Sequence, residues 1–248
     1  MQIPKLAKNF LRKTLFAKAV PTNATLAIYK QLGDKFMSER TFYFGNKKLR
    51  AFSLAMESAP GTAEMVIQLL ESAGAKAGQT VLDFGCGRHQ SKYLKQMGFN
   101  VHSCDVLPFE GENFTRLDPA SPKLPFADRQ FDVVMASEVL EHVESPWEIL
   151  KELARICKNT LIITSPNPFS LHSRERFFKS GFLYWFEPKN FSYHISPIFS
   201  WQVELFCQRH NLSLAKVLAN HQAFILDDRG KTLEMAEALI YKIDIAHA

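Results

Sequence analysis

The sequence predicts an α/β domain whose sheet is mainly parallel and covered by helices on both faces, and three observations predict it. From Gly61 onward, short aliphatic and β-branched runs alternate with stretches of helical periodicity. The first of these runs, Thr80–Phe84, passes directly into the glycine turn Asp83-Phe-Gly-Cys-Gly87. A second run, Val101–Asp105, follows one helix later and completes a βαβ unit. At 248 residues and 46% hydrophobic content the chain can bury a full core in one domain, and global disorder is excluded.

Residues 1–57 read as an N-terminal helical extension. Within it, residues 3–20 place Ile3, Leu6, Ala7, Phe10, Thr14 and Ala17 along one helical side and Lys5, Lys8 and Arg12 opposite. Pro21 breaks this segment, and residues 24–57 read as helical with interruptions. Residues 58–248 form the main domain. A helix through Met65, Ile67, Leu69 and Leu70 precedes the first strand, Thr80–Phe84. A helix over 91–97, the turn at Gly98 and the strand Val101–Asp105 follow, and 112–117 reads as a short third strand. Phe131–Ala136 is the fourth strand, Pro146–Cys157 a helix and Leu161–Thr164 the fifth strand. The last third predicts a helix near 198–209, strands at Leu212–Leu218 and Ala223–Leu226, and a closing helix from about Lys231. The final strand pair would lie antiparallel at one edge, giving seven strands. Ligands of such sheets bind beyond the carboxyl ends of the strands.

The net charge of +5 is uneven. Residues 1–33 carry Lys5, Lys8, Arg12, Lys13, Lys18 and Lys30 with no acid, and the remainder is nearly neutral. A nucleic-acid face spread over the domain is therefore not expected, and any anionic partner belongs to the N-terminal segment. Five basic residues and the apolar stripe in residues 1–20 suit peripheral contact with an anionic membrane. Cys86, Cys104, Cys157 and Cys207 form no CxxC pair, which fits a reducing, cytoplasmic location and argues against a zinc ribbon. No apolar run is long enough to span a bilayer.

The glycine turn sits where its geometry has chemical use, between a strand and a helix. Gly85 and Gly87 have no Cβ, so backbone can approach a ligand closely. A plain strand-to-helix turn would use the same residues. Asp105 ends the second strand, 22 positions after Asp83, where a carboxylate can accept hydrogen bonds from both hydroxyls of a ribose. Together they indicate a nucleoside ligand without distinguishing NAD from S-adenosylmethionine.

The distinction comes from Asp118, Leu124-Pro-Phe-Ala-Asp128 and Phe131-Asp-Val-Val-Met-Ala-Ser-Glu-Val-Leu-Glu-His-Val143, which closely resemble the class I S-adenosylmethionine-dependent methyltransferases of type 11 and 23. The resemblance covers about residues 60–166 and implies a Rossmann-like fold with S-adenosylmethionine as cofactor. It also implies that Asp83, Gly85 and Gly87 wrap the methionine part, Asp105 binds ribose and Asp118 meets adenine. Val106 and Leu107 are apolar neighbours able to flank the ring. Where the family often has a third glycine this chain has His89, within the loop Arg88-His-Gln.

Glu138, Glu141 and His142 stand at i, i+3 and i+4, so a helix there would set them on one side. Three roles remain open. The carboxylates can cap and scaffold a helix start, with Glu138 beside the cofactor. His142 can act as a general acid or base, and it is the expected catalytic residue. The run also resembles one in small-RNA 3′-end and certain quinone-precursor O-methyltransferases, where a distant histidine completes a divalent metal site; His194 is the candidate here, although no metal is expected.

Residues 168–200 read as a lid insert rich in aromatics, with Phe177, Phe178, Phe182, Tyr184, Trp185, Phe186, Phe191, Tyr193, Phe199 and, just beyond it, Trp201. Interleaved with Arg174, Arg176, Lys179 and Lys189, they can stack on a sugar, quinone or base or simply pack on the core. The expected function is methyl transfer to a small-molecule acceptor, a saccharide or lipid-linked intermediate. Quinone-precursor or RNA-end methylation is the enzymatic alternative, and a catalytically silent S-adenosylmethionine-binding module the non-enzymatic one.

Overall fold

A computed structural model describes residues 40–44, 47–51, 62–86, 90–109, 111–121, 123–219 and 238–245. The amphipathic segment 3–20, Gly87 to His89, the Ala223–Leu226 strand and residues 231–237 of the closing helix lie outside the described residues.

In chain order the elements are β1 (Arg40–Phe44), β2 (Lys47–Ala51), α1 (Thr62–Ser72), β3 (Thr80–Phe84), α2 (Gln90–Met97), β4 (Asn100–Asp105) and β5 (Phe114–Arg116). There follow β6 (Phe131–Ser137), a 3-10 turn at Leu140–His142, α3 (Pro146–Ile156), β7 (Cys157–Pro166) and α4 (Leu171–Ser180). A second 3-10 turn at Pro188–Asn190, α5 (Ser200–Arg209), β8 (Ser213–Ala219) and β9 (Ala238–Asp244) complete the set. Seven strands form one sheet in the order β5-β4-β3-β6-β7-β9-β8. The first five run parallel, and β9 is antiparallel to both β7 and β8.

Strand alternation divides the core. Leu82, Val134, Ala136, Leu161 and Ile163 belong to one cluster with Leu150, Leu153 and Ile156 of α3 and Val203 and Phe206 of α5. Val81, Val133, Met135 and Ile162 belong to the other, with Leu69 and Leu70 of α1 and Leu94 and Met97 of α2. These near-continuous apolar strands are what a sheet covered on both faces requires.

Two sequence expectations are corrected. Residues 40–51, expected to be helical, contain an antiparallel strand pair, with Arg40 opposite Ala51 and Phe44 opposite Lys47. The closing helix does not continue through 238–244: β9 occupies those positions and lies inside the sheet. Leu239, Tyr241 and Ile243 pack into one core and Ile240 into the other, so the segment is apolar on both faces and carries no strand alternation to read. Each of these buried side chains contributes about 1.5–3 kcal/mol.

Leu124-Pro-Phe-Ala-Asp128 is a structural stitch. Arg155 of α3 donates to the carbonyls of Leu124 and Phe126 and to Asp128, and pairs with Glu152, which accepts from the Leu124 amide. Phe126 meets Phe131 edge-on, with ring centroids 5.2 Å apart. The loop between β5 and β6 is thereby tied to the helix that follows β6.

Candidate active site

Parallel register brings the ends of β3, β4, β5, β6 and β7 to one edge of the sheet, and the sequence-predicted residues stand along it. Asp83 is wholly buried. Ser91, at the start of α2, donates to its Oδ2 at 2.7 Å, while Oδ1 has no partner. Burial raises the carboxyl to about 7, opposed by the Ser91 hydrogen bond and reinforced by nearby Asp105. Ser91 and Ser103 are mutual hydrogen-bond partners behind it.

Gly85 has φ +66°, and the amides of Gly85 and Cys86 both donate to the Cys104 carbonyl, folding the turn against the end of β4. A Cβ at Gly85 would lie 2.5 Å from Cγ2 of Val139. The glycine is thus required twice, by its left-handed backbone and by the close approach of the segment after β6.

Asp105 closes β4 and accepts from the Leu107 amide at 2.9 Å, which turns Val106 and Leu107 outward to 44% and 69% exposure. The Leu117 amide bonds the Asp105 carbonyl, so Asp118 emerges beside it and accepts from the Ala120 amide. Asp83, Asp105 and Asp118 are brought to adjacent strand ends.

The segment after β6 differs from expectation. It is not a helix that sets Glu138, Glu141 and His142 on one side. Glu138 has φ +53° and turns to β7, where its Oε1 accepts from the Thr164 hydroxyl at 2.9 Å and its amide donates to Thr164. Desolvation raises its carboxyl to about 7. Glu141 points into the protein with 0% exposure and neither carboxylate oxygen partnered. Burial, then the charge of Glu138, raises that carboxyl well above the usual range.

His142 and His194 meet here, with ring centroids 4.7 Å apart. Nδ1 of His142 lies 2.6 Å from the Tyr193 carbonyl and Nδ1 of His194 lies 3.1 Å from the Trp185 carbonyl. Carbonyl oxygens only accept, so each Nδ1 carries the hydrogen and each neutral ring keeps its lone pair on Nε2. Nε2 of His142 is 3.9 Å from Oε1 of Glu141. Burial, with the adjacent His142, lowers the pKa of His194.

The aromatic insert is fastened to the same turn. The amides of Ile195 and Ser196 both donate to the Glu141 carbonyl, and the Ser196 hydroxyl donates to Val143. Asn190 holds the Trp185 carbonyl and the Tyr193 hydroxyl, while Glu187 pairs with Arg176 of α4 and with Lys189. Phe186 is buried, whereas Phe177, Phe178, Phe182, Phe191, Tyr193 and Trp201 remain exposed. Sequence reasoning did not find Ser91, Thr164 or Val139. Ser91, one helical turn beyond the glycines, was open to discovery as a partner for Asp83, but Thr164 and Val139 depend on which strands become neighbours.

The chain matches the methyltransferase domain family over residues 60–216. It is 31% identical over 147 residues to an uncharacterized methyltransferase of Mycolicibacterium vanbaalenii, covering 50% of this chain and 57% of that protein. The chain spans about half the length of the curated relatives it matches. Its fold is shared with a SAM dependent methyltransferase from Archaeoglobus fulgidus, at 20% identity over 76% of this chain and 97% of the other, with TM-score 0.53. It is also shared with the magnesium protoporphyrin IX methyltransferase from Synechocystis with bound SAH, at 14% identity over 97% and 99%, with TM-score 0.56. The match over well over half its length, on a seven-stranded sheet of this order, establishes that the chain belongs to the methyltransferase domain family and has the Rossmann-like fold of the S-adenosylmethionine-dependent methyltransferases.

Proposed function

We propose that the protein binds S-adenosylmethionine along the ends of β3, β4 and β5 and transfers its methyl group to a small-molecule acceptor, a saccharide or lipid-linked intermediate, held beside the aromatic insert. The observation that carries this reading is Asp83, a wholly buried carboxylate with one oxygen unpartnered, next to a turn that admits no side chain. A buried acceptor left without a donor is costly, and the ammonium of a bound methionine moiety would satisfy it. Asp105 and Asp118 follow in the order of ribose and adenine, so the residues present fit the donor.

When bound, S-adenosylmethionine supplies an electrophilic methyl on a sulfonium. The protein's part is to fix donor and acceptor in line and to exclude water. Gly85 permits close backbone approach, Asp105 orients the ribose, and Val106 and Leu107 offer apolar surface to the adenine. Glu138 borders the cofactor side through its position directly before Val139, which meets Gly85. His142, with its Nε2 lone pair available, acts on the acceptor and governs turnover more than cofactor affinity. The exposed aromatic faces of the insert suit stacking on a sugar ring or contact with an apolar chain.

Peripheral contact of residues 1–20 with an anionic membrane would bring the protein to a lipid-linked acceptor. No helix among the described residues is long and apolar enough to cross a membrane.

Titration calorimetry with S-adenosylmethionine, S-adenosylhomocysteine and NAD tests the cofactor assignment, with binding expected for the two adenosyl ligands only. Tighter binding of NAD would overturn it. Once an acceptor is found, His142→Ala should lower kcat while leaving S-adenosylhomocysteine affinity unchanged. Cofactor binding without turnover on hydroxyl-bearing saccharide and lipid-linked acceptors would instead favour a silent binding module.

A further inference from the structure

Closure of the insert on the turn after β6 gathers hydrogen-bond acceptors around Glu141. One nitrogen of His142, one of His194 and one carboxylate oxygen of Glu141 all lie within 4.8 Å of one another. Each ring gives its Nδ1 hydrogen to a main-chain carbonyl of the insert, so each presents Nε2 as an acceptor. Glu141 has 0% exposure, and no described residue donates to either of its oxygens. Its Oε1 stands 3.9 Å from Nε2 of His142, too far for a hydrogen bond to close between them. From this convergence we infer that the three side chains form a recognition site for a primary ammonium group, and that the acceptor is a saccharide bearing a primary amine.

The number and spacing of the acceptors select the ligand group. A protonated primary amine has three N–H donors set tetrahedrally, and partners about 2.9 Å from its nitrogen stand about 4.7 Å from one another. The side chains here, 3.9 Å apart in one pair and no more than 4.8 Å in any, can enclose one such nitrogen. A hydroxyl brings a single hydrogen and would leave two of the three acceptors unsatisfied. Charge favours the same choice, because an ammonium opposes the burial that raises the Glu141 carboxyl above its usual range. Glu138 takes no part, since its carboxylate is turned to the Thr164 hydroxyl. Asp83 offers the parallel on the cofactor side, where one oxygen of a buried carboxylate also lacks a donor.

The inference rests on the proposed methyltransferase reading and narrows its saccharide acceptor to an aminated one. His142, whose side chain is 38% exposed, marks the side from which the amine enters. An ammonium has no lone pair, so one proton must leave before attack, and Nε2 of His142 takes it. The freed electron pair forms the N–C bond to the methyl, and the electrons of the broken C–S bond leave with sulfur in S-adenosylhomocysteine. Glu141 and His194 hold the two hydrogens that stay on the nitrogen.

The test uses the full chain near neutral pH, with a chelator present so that no metal ion bridges the ligand. S-adenosylhomocysteine binding is measured first, and its failure would count against the methyltransferase reading. On the saturated protein, calorimetry then compares glucose and galactose derivatives aminated at each position in turn with the parent sugars and the N-acetylated amines. At least one amine should bind at least about tenfold more tightly than its parent sugar and its N-acetyl derivative. Glu141→Gln and His194→Ala should each lower that preference by at least about tenfold, with S-adenosylhomocysteine affinity reporting that the fold persists. His194→Ala serves alone if Glu141→Gln does not fold. With S-adenosylmethionine in place of the product, mass spectrometry should find one methyl group on the nitrogen of the preferred amine. No amine preferred over its parent sugar, the full preference kept in a folded variant, or a methyl group placed on oxygen would overturn the inference while leaving the methyltransferase reading intact.

Discussion

The turns after β3 and β6 lie side by side, Gly85 against Val139, and a carboxylate is buried at each, Asp83 at the end of β3 and Glu141 after β6, but the two are held by different means. Asp83 is held locally: Ser91, eight residues on, occupies one oxygen, and Ser103 from the neighbouring strand completes the group. Glu141 has no hydrogen-bond partner on its carboxylate, and the residues around it come from the insert more than fifty positions away. The first site follows from one βαβ unit. The second exists only after the insert has returned to β6, so its geometry depends on long-range closure. Five substitutions sharpen or break this contrast.

The largest effect belongs to Asp83. Its carboxyl is raised from the usual value near 3.8 to about 7, so the folded chain binds this proton more tightly than the unfolded chain does. The stability this contributes is complete below pH 4 and is lost as pH rises through about 7. At about 1.4 kcal/mol for each pKa unit the loss is of the order of a few kcal/mol. Glu138 and Glu141 act with the same sign, so Asp83→Asn should remove part of the slope and not all of it. Urea melts of the unliganded protein between pH 4 and 8 measure this. A variant slope equal to the native one would show that Asp83 is solvated. Because a bound ammonium favours the ionised carboxylate, S-adenosylmethionine should bind more tightly as pH rises from 6 to 8.

Gly85→Ala comes next. The left-handed backbone and the 2.5 Å approach to Val139 act together, and cofactor affinity should fall by about 100-fold, roughly 3 kcal/mol. Val139→Ala in the same chain should return part of that loss by removing the methyl groups but not the backbone strain. Calorimetry on the two variants separates these causes. If the double variant binds no better than Gly85→Ala, contact between the two turns is not what the glycine protects.

Asp105→Ala should weaken cofactor binding by about 1.5–3 kcal/mol through loss of hydrogen bonds to a charged acceptor, with little change in stability. Asp105 is only half-buried, and its structural bond, to the Leu107 amide, belongs to an exposed turn. An adenosine competition assay provides the control: if the variant loses no affinity for adenosine either, ribose recognition lies elsewhere.

The same contrast explains what the sequence made legible. Asp83, Gly85 and Asp105 were readable because strand, turn and helix follow one another within about 25 residues, and strand alternation then fixes which side chains face the ligand edge. Leu124-Pro-Phe-Ala-Asp128 was readable as a signature but not as the Arg155 stitch that it proves to be, since the partner is supplied by a helix nearly thirty positions later. The i, i+3, i+4 spacing after β6 suggested a helix because the period was right. Glu138 instead adopts a left-handed conformation and forms two bonds to Thr164, a residue of β7 whose proximity no local pattern reveals. The strand β9 was hidden for the opposite reason, since burial on both faces erases the alternation by which strands are recognised.

The smallest expected effect tests the insert. Ser196 donates its hydroxyl to the Val143 carbonyl at 2.8 Å, beside the two amides that bond Glu141. Ser196→Ala removes that hydroxyl and keeps both main-chain bonds, so the cost should be about 1 kcal/mol. In a chain of this size that corresponds to a melting temperature lower by roughly 2–4 °C. The cofactor side shares no hydrogen bond with Ser196, so S-adenosylhomocysteine affinity should not change. Amide hydrogen exchange at Ile195 and Ser196 should accelerate about fivefold, because opening of the insert costs about 1 kcal/mol less while protection of β3 and β4 depends on the core. Equal acceleration across β3 and the insert would show that the two halves open together, and the separation between a locally held carboxylate and one enclosed by long-range closure would fail. Acceleration confined to residues 193–196 would place the insert among the low-stability elements from which acceptor-covering segments are drawn.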